Sequence, residues 1–303
     1  MTQPPRPDPA FTGGVVKPSF ARLPDPAAIF KERAQRFRTL ASDHDLKPYL
    51  LFLADLCEVQ HDIQSGLPAA ALPAADALAR AREFAMPPLD RNRFMADAAC
   101  DATLDGLCGC IARCELTPAA HAALQSVRNA DAAALAAMMQ SVLSDSIPVE
   151  SLAEHVFIAA ALQVHFARLA AQLDAKELVA VGDGVCPACG GPPASSMVVE
   201  WQGAGGARFC ACTLCGTQWN YIRAKCCCCG STKDVTYQEI EGGPGTIKAE
   251  CCGECRTYVK VLHHQRDISL DPIADDVASL GLDLLVRETG LRRGGVNPFL
   301  IGY

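Results

Sequence analysis

The chain has 303 residues, enough for about two domains that each bury a core without disulfide staples. It is 50% hydrophobic but only 6% aromatic, an alanine and leucine balance that favours helices, and its net charge of −7 marks a soluble acidic protein. The longest apolar run, Val156 to Val164, is far below the ~20 residues that span a bilayer, which excludes membrane insertion.

In chain order, Met1 to Pro26 carries seven prolines and no apolar stretch of a signal peptide. A Pro-rich arm over 1–24 and a cytoplasmic location, where thiols stay reduced, are therefore expected. From 25 to 181 the sequence reads as helix after helix. Asp25-Pro26 opens the first, which runs to Ser42 with Ile29, Ala34, Phe37 and Leu40 at near-helical spacing. Further helices are expected over 47–65, 75–85, 92–115, 118–128, 131–144 and 149–179, and an all-helical domain is the economical packing.

Composition shifts near Gly182, where eight of the seventeen cysteines fall into two frames. Cys186, Cys189, Cys212 and Cys215 form the first; adding 40 to each gives Cys226, Cys229, Cys252 and Cys255. A self-repeat that holds at four positions points to a duplicated unit, and paired C-x2-C turns can close a tetrahedral S4 shell around one ion. The odd cysteine count and the reducing location argue against disulfides. Spacing alone leaves zinc and iron both open. Cys210, Cys227, Cys228 and Cys251 do not obey the 40-residue register and are read as bystanders. Gly190, Gly216 and Gly230 follow their knuckles, where a positive φ suits glycine. Arg256 takes that place after the fourth knuckle, so the second site is expected to be the more strained.

Around the knuckles lie short β-prone pieces, 197–201, 218–222, 235–238 and 257–261, with glycine turns at 203–206 and 242–248. Each unit thus reads as a rubredoxin-like or zinc-ribbon module, the first over 182–223 and the second over 224–265. Asp271-Pro272 then opens a last helix, with Ile273, Val277, Leu280 and Leu284 on one stripe, inside a tail over 266–303. The fold class is α+β: an N-terminal helical domain, two tandem tetrathiolate modules and a C-terminal helix.

Other clusters have plainer readings. Cys108, Cys110 and Cys114 suit small core positions, and His263-His264 a packed or solvated pair. Asp275-Asp276 sits where carboxylates complement a helix dipole. No nucleophile elbow, metalloprotease helix or phosphate loop occurs, so no catalytic residue and no enzyme is expected. Between 182 and 265 seven basic and seven acidic side chains balance. Thiolate-bound metal then leaves this region negative, the wrong field for nucleic acid.

Several runs resemble the FdhE family, the formate dehydrogenase accessory proteins. They are Cys186-Pro-Ala-Cys-Gly190, Ser196-Met-Val198, Trp219-Asn-Tyr-Ile-Arg-Ala-Lys-Cys226 and Lys248-Ala-Glu-Cys-Cys-Gly-Glu-Cys255. Asp271-Pro-Ile-Ala-Asp-Asp-Val-Ala-Ser279, Leu282-Asp-Leu-Leu285 and Asn297-Pro-Phe-Leu300 extend the likeness, with Pro87-Pro-Leu-Asp90 the clearest match in the helical half. The resemblance implies a cytoplasmic, chaperone-like maturation factor for respiratory formate dehydrogenases exported by the twin-arginine route. It implies docking on the catalytic subunit as partner, and two iron ions, one per tetrathiolate site, with zinc able to load in recombinant protein. A rubredoxin-like electron carrier and a zinc-ribbon nucleic-acid-binding protein are the alternatives.

Overall fold

The computed structural model describes residues 17–202 and 204–300, so the first sixteen residues of the expected arm and Gly203 of the first expected hairpin lie outside it. Among the described residues, seven α-helices precede the main body of the sheet: α1 Ile29–Leu40, α2 Lys47–Asp62, α3 Ala75–Glu83, α4 Ala98–Ile111, α5 Pro118–Asn129, α6 Ala132–Leu143 and α7 Leu152–Ala170. Their starts follow local chemistry. Asp97, Thr117 and Asp131 each accept a hydrogen bond from the backbone N–H three residues on, capping α4, α5 and α6. Helix α4 therefore begins at the Asp97 cap rather than at 92.

Helix α7 is apolar nearly all round, and fifteen of its nineteen residues are buried. Such a helix has to be central, and α4, α5 and α6 pack around it. The expectation of helix to 179 fails although no breaker follows Ala170. Gln172 turns back to donate to Ala70 O at 3.0 Å and Arg168 O at 2.9 Å, and Leu178 folds into the core. Tertiary packing overrides propensity there.

The chain after α7 and one short strand before α1 build an eight-stranded sheet: β1 Ala21–Arg22, β2 Pro193–Trp201, β3 Ala204–Cys212, β4 Gln218–Tyr221, β5 Val235–Gln238, β6 Ile247–Cys252, β7 Thr257–Leu262 and β8 Arg292–Arg293. Its order is β1-β4-β3-β2-β7-β6-β5, with β8 beside β7. Within each repeat the strands are antiparallel. Between repeats, β2 and β7 pair in parallel at Ser196↔Val261 and Met197↔Leu262, so both four-cysteine repeats share one sheet. The glycine turn expected over 242–248 links β5 to β6 with Gly242 and Gly245 at positive φ, but it ends before Ile247, where β6 begins. Within the expected arm, Ala21–Arg22 pair with Trp219 and Gln218 at the sheet edge.

Across the joint, Arg208 on β3 and Glu250 on β6 form a buried two-pronged ion pair at 2.7 and 2.9 Å. Arg208 Nε also donates to Ser196 Oγ at 3.0 Å, and Tyr237 OH to Glu250 at 2.9 Å. The fork geometry of a guanidinium suits this arrangement, which satisfies both buried charges.

The single last helix is corrected to two, α8 Ala274–Ala278 and α9 Leu280–Glu288. Ser279 breaks the run by turning its hydroxyl back to Asp275 O at 2.6 Å. The apolar stripe shifts accordingly: Leu282 and Val286 are buried, and Leu284 is 52% exposed. Asp275 and Asp276 stand in the first turn of α8, as expected, and carry tertiary ion pairs besides. Asp271 is the residue that caps α8, accepting from Ile273 N and Ala274 N at 2.8 and 2.7 Å. Asp275 grips Arg36 through two hydrogen bonds. Asp276 is fully buried, 2.6 Å from Arg293 and 3.4 Å from Lys260 of β7. Asp283 on α9 accepts from Tyr258 OH and pairs with both Arg293 and Lys260. Burial alone would raise the Asp276 pKa, but Arg293 and Lys260 hold it below the ordinary carboxylate value. This network fastens the C-terminal helices to the second module.

Candidate metal centres

Each knuckle is a tight turn whose backbone closes on itself. Cys186 N donates to Gly191 O at 2.8 Å and Gly190 N to Cys186 O at 2.9 Å. Forty residues on, Cys226 N meets Ser231 O at 2.8 Å and Gly230 N meets Cys226 O at 3.0 Å. Gly190, Gly216 and Gly230 have φ of 80°, 73° and 73°, and Arg256 is forced to 56°. A side chain in that left-handed region costs roughly 1–2 kcal/mol.

The knuckles meet in two groups, Cys186, Cys189, Cys212 and Cys215, and Cys226, Cys229, Cys252 and Cys255, whose four sulfurs all lie within 4.8 Å of one another. Sulfur pairs stand 3.6 and 3.4 Å apart in the first group and 3.8 and 3.7 Å in the second. A tetrahedral ion with metal–sulfur bonds of about 2.3 Å spaces its sulfurs by roughly 3.8 Å. Both groups therefore fit one ion each, and all seventeen cysteines are free thiols. Each group can hold a metal ion.

In the first group burial pushes the Cys186 thiol up, while hydrogen bonds from Cys186, Cys189 and Cys215 hold Cys212 well below the usual thiol range. Arg91 faces this group across Gly191, whose missing Cβ would touch Arg91 Nη1 and the sulfurs of Cys189 and Cys212. Its cation favours thiolate.

Sequence reasoning missed two partners. The Cys215 thiol donates to Thr217 Oγ1 at 3.2 Å, and Cys255 Sγ and Thr257 Oγ1 share a hydrogen bond at 2.9 Å. The 40-residue step relates these threonines too, so extending it beyond cysteine would have found them.

The two groups differ in cover. All four cysteines of the first are at most 2% exposed, whereas Cys229 of the second is exposed and Cys255 half-buried. The helical part supplies the cover. Leu89 N donates to Ala188 O at 2.8 Å and Arg91 N to Cys189 O at 3.0 Å, laying the 87–91 segment over the first knuckle. A Cβ at Gly216 would strike Ile29 and Pro24, which close over the second. Pro87-Pro-Leu-Asp90, singled out by its resemblance, is this lid.

Cys210, Cys227, Cys228 and Cys251 fall outside both groups. Cys227 is hydrogen-bonded to Cys210, which helps to push its thiol well above the usual range, and burial pushes Cys251 up to about 11. Cys57, Cys100 and Cys108 are raised to about 12 by burial. Cys108 is a core residue, and Cys110 and Cys114 are half-buried against the core. His263 is half-buried, and burial lowers its pKa.

Comparison with known proteins gives one answer along the chain. Family models described as FdhE N-terminal, FdhE central domain and FdhE C-terminal domain match residues 18–183, 185–223 and 224–300. A protein FdhE homolog of Rhizobium meliloti is 46% identical over 302 residues, covering 99% of each chain. Another, of Cronobacter sakazakii, is 34% identical over 298 residues, covering 95% of this chain and 93% of its own. The crystal structure of the FdhE protein from Pseudomonas aeruginosa matches with a TM-score of 0.85 at 31% identity, over 94% of this chain and 99% of that one.

Proposed function

The chain belongs to the FdhE family, and from that membership we propose that it is a non-enzymatic, cytoplasmic maturation factor for a respiratory, twin-arginine-exported formate dehydrogenase. It docks on the catalytic subunit through or beside its two tetrathiolate modules. Cys186, Cys189, Cys212, Cys215, Cys226, Cys229, Cys252 and Cys255 are the metal ligands. Iron is the resident ion on this reading. It supplies a one-electron couple that zinc does not.

The observation that carries the reading is the placement of two four-cysteine groups on one sheet, one sealed beneath the helical part and one facing outward. That is a rigid platform with one reactive face. The expected organisation, a helical domain over 25–181, modules over 182–223 and 224–265 and a tail over 266–303, assigns the platform to the modules and the scaffold to the rest.

A strain lacking this protein is expected to make the catalytic subunit yet lose most respiratory formate oxidation, and a Cys186→Ser copy should not restore it. Normal formate oxidation in that strain would falsify the maturation reading. The exposure of Cys229 favours one other reading, a rubredoxin-like electron carrier, which requires reversible one-electron reduction of the purified protein at a rate fast enough to serve a partner enzyme.

A further inference from the structure

The 87–91 lid is tied to the helical part at both ends. It is entered by a turn after α3, where Ala85 takes φ 48° and Met86 N donates to Ala81 O at 2.7 Å. At its far end the Arg91 guanidinium is held by Asp145, just past α6: Nη1 donates to Oδ1 at 3.0 Å and Nη2 to Oδ2. Asp145 is itself wound into place, at φ 54° with its N–H on Val142 O at 3.2 Å. A two-pronged pair of this kind fixes a guanidinium in direction as well as in position. Between the two ends Pro87 lies against Gly190, and the N–H groups of Leu89 and Arg91 rest on Ala188 O and Cys189 O.

The same guanidinium faces the first four-cysteine group. A Cβ placed on Gly191 would stand 3.5 Å from Arg91 Nη1, 3.5 Å from Cys189 Sγ and 3.6 Å from Cys212 Sγ, so one carbon would fill the gap between cation and sulfurs. Arg91 is 9% exposed and the four cysteines are buried, and a charge in such surroundings is screened far less than in water. Asp145 is the more solvated partner, its side chain 23% exposed against 10% for Arg91, so water screens the carboxylate more than it screens the guanidinium. Four thiolates around a divalent ion carry two negative charges, and around a trivalent ion one. A cation beside the sulfurs therefore favours the divalent core. By reciprocity, the divalent core holds that cation, and the lid that carries it, more firmly.

We propose that Arg91 is a positioning residue for the first metal centre and couples the charge of the core to the helical part: the lid closes more tightly over a divalent core than over a trivalent one. Asp145 aims the guanidinium. The Arg91 N–H on Cys189 O joins that charge contact to the backbone of the lid. The inference rests on the ligand assignment proposed above and not on the maturation role.

The test loads the full chain with Zn(II) or with Ga(III), a redox-inert trivalent ion. Two ions per chain, falling to one in Cys186→Ser, show that the first group is occupied. Hydrogen exchange is then followed at the amides of Leu89 and Arg91, since Pro87 and Pro88 have none. Both amides should exchange about fivefold or more slowly in the zinc form. In Arg91→Gln that difference should vanish, and Arg91→Lys, which keeps the charge, should restore part of it. A residue that merely braces the lid would speed exchange equally in both forms and leave their ratio alone. The proposal is overturned by equal exchange in the two forms of the unaltered chain, a comparison that needs no variant, or by a difference that survives in Arg91→Gln. A first group that takes up neither ion overturns the ligand assignment and this inference together.

Discussion

The first four-cysteine group lies beneath the helical part, with all four thiols sealed from water, while the second repeats its spacing and leaves Cys229 at the surface. Both have the same backbone hydrogen bonds at their first knuckles and the same threonine beside their last cysteine. Ligand geometry is thus set inside each repeat, by turns a few residues long. Accessibility is set from outside, by Pro24, Ile29 and the 87–91 lid for the first and by the 183–184 and 292–294 segments for the second, which leave Cys229 exposed.

The largest test of this contrast removes one ligand from each group. Structural metal in a small module carries about 10 kcal/mol or more of folding free energy. Cys186→Ser should lose one metal, unfold 182–223 and free the 87–91 lid. Cys229→Ser should lose one metal while the lid stays protected, since the lid rests on the other group. Metal analysis with hydrogen exchange of the 87–91 peptide decides it, and equal loss of protection in both variants breaks the comparison.

Acid should separate the modules next. The two share the buried Arg208–Glu250 pair, and the second is further fastened to the C-terminal helices by Asp276 and Asp283 against Lys260 and Arg293. The folded pKa of Asp276 is depressed, so its stabilisation is fully present above the ordinary carboxylate pKa of about 4 and is lost as pH falls through the lower folded value. Asp276→Asn leaves buried cations short of a partner and should cost about 3–5 kcal/mol at neutral pH. Denaturant unfolding from pH 7 to pH 3 should show a flatter acid limb in the variant. A parallel limb would remove Asp276 from the account.

The smallest effect concerns Arg256, held at φ 56° where the first repeat has Gly216. Arg256→Gly should add about 1 kcal/mol or slightly more and slow chelator-driven metal loss from the second group alone. An unchanged melting temperature and chelation rate would show that no strain is stored there.

The metal groups were readable because a C-x2-C turn has few alternative uses and a fixed 40-residue step filters bystanders from Cys226 to Cys229. Arg256 was readable for the same reason: one φ follows from one turn. Strands β3 and β6 escaped direct reading, since Gly205-Gly206 and Lys248-Ala249-Glu250 dilute β propensity and the strands are held by neighbours on both sides. Asp275 and Asp276 were legible as first-turn acids, but their ion-pair partners, Arg36, Lys260 and Arg293, lie at distances in the chain that no local pattern spans. The lid was visible only as a resemblance. Nothing in Pro87-Pro-Leu-Asp90 itself says that it covers a knuckle a hundred residues away.

The parallel pairing of β2 with β7 bears on how far the two repeats can be separated. The two copies of the 40-residue unit meet at their innermost strands, and Arg208 of the first frame is neutralised by Glu250 of its twin. Deleting either copy would bare a central strand and strand a buried charge. The copies differ at single positions such as Gly216 and Arg256, but the shared strand pair and ion pair make them one structural unit.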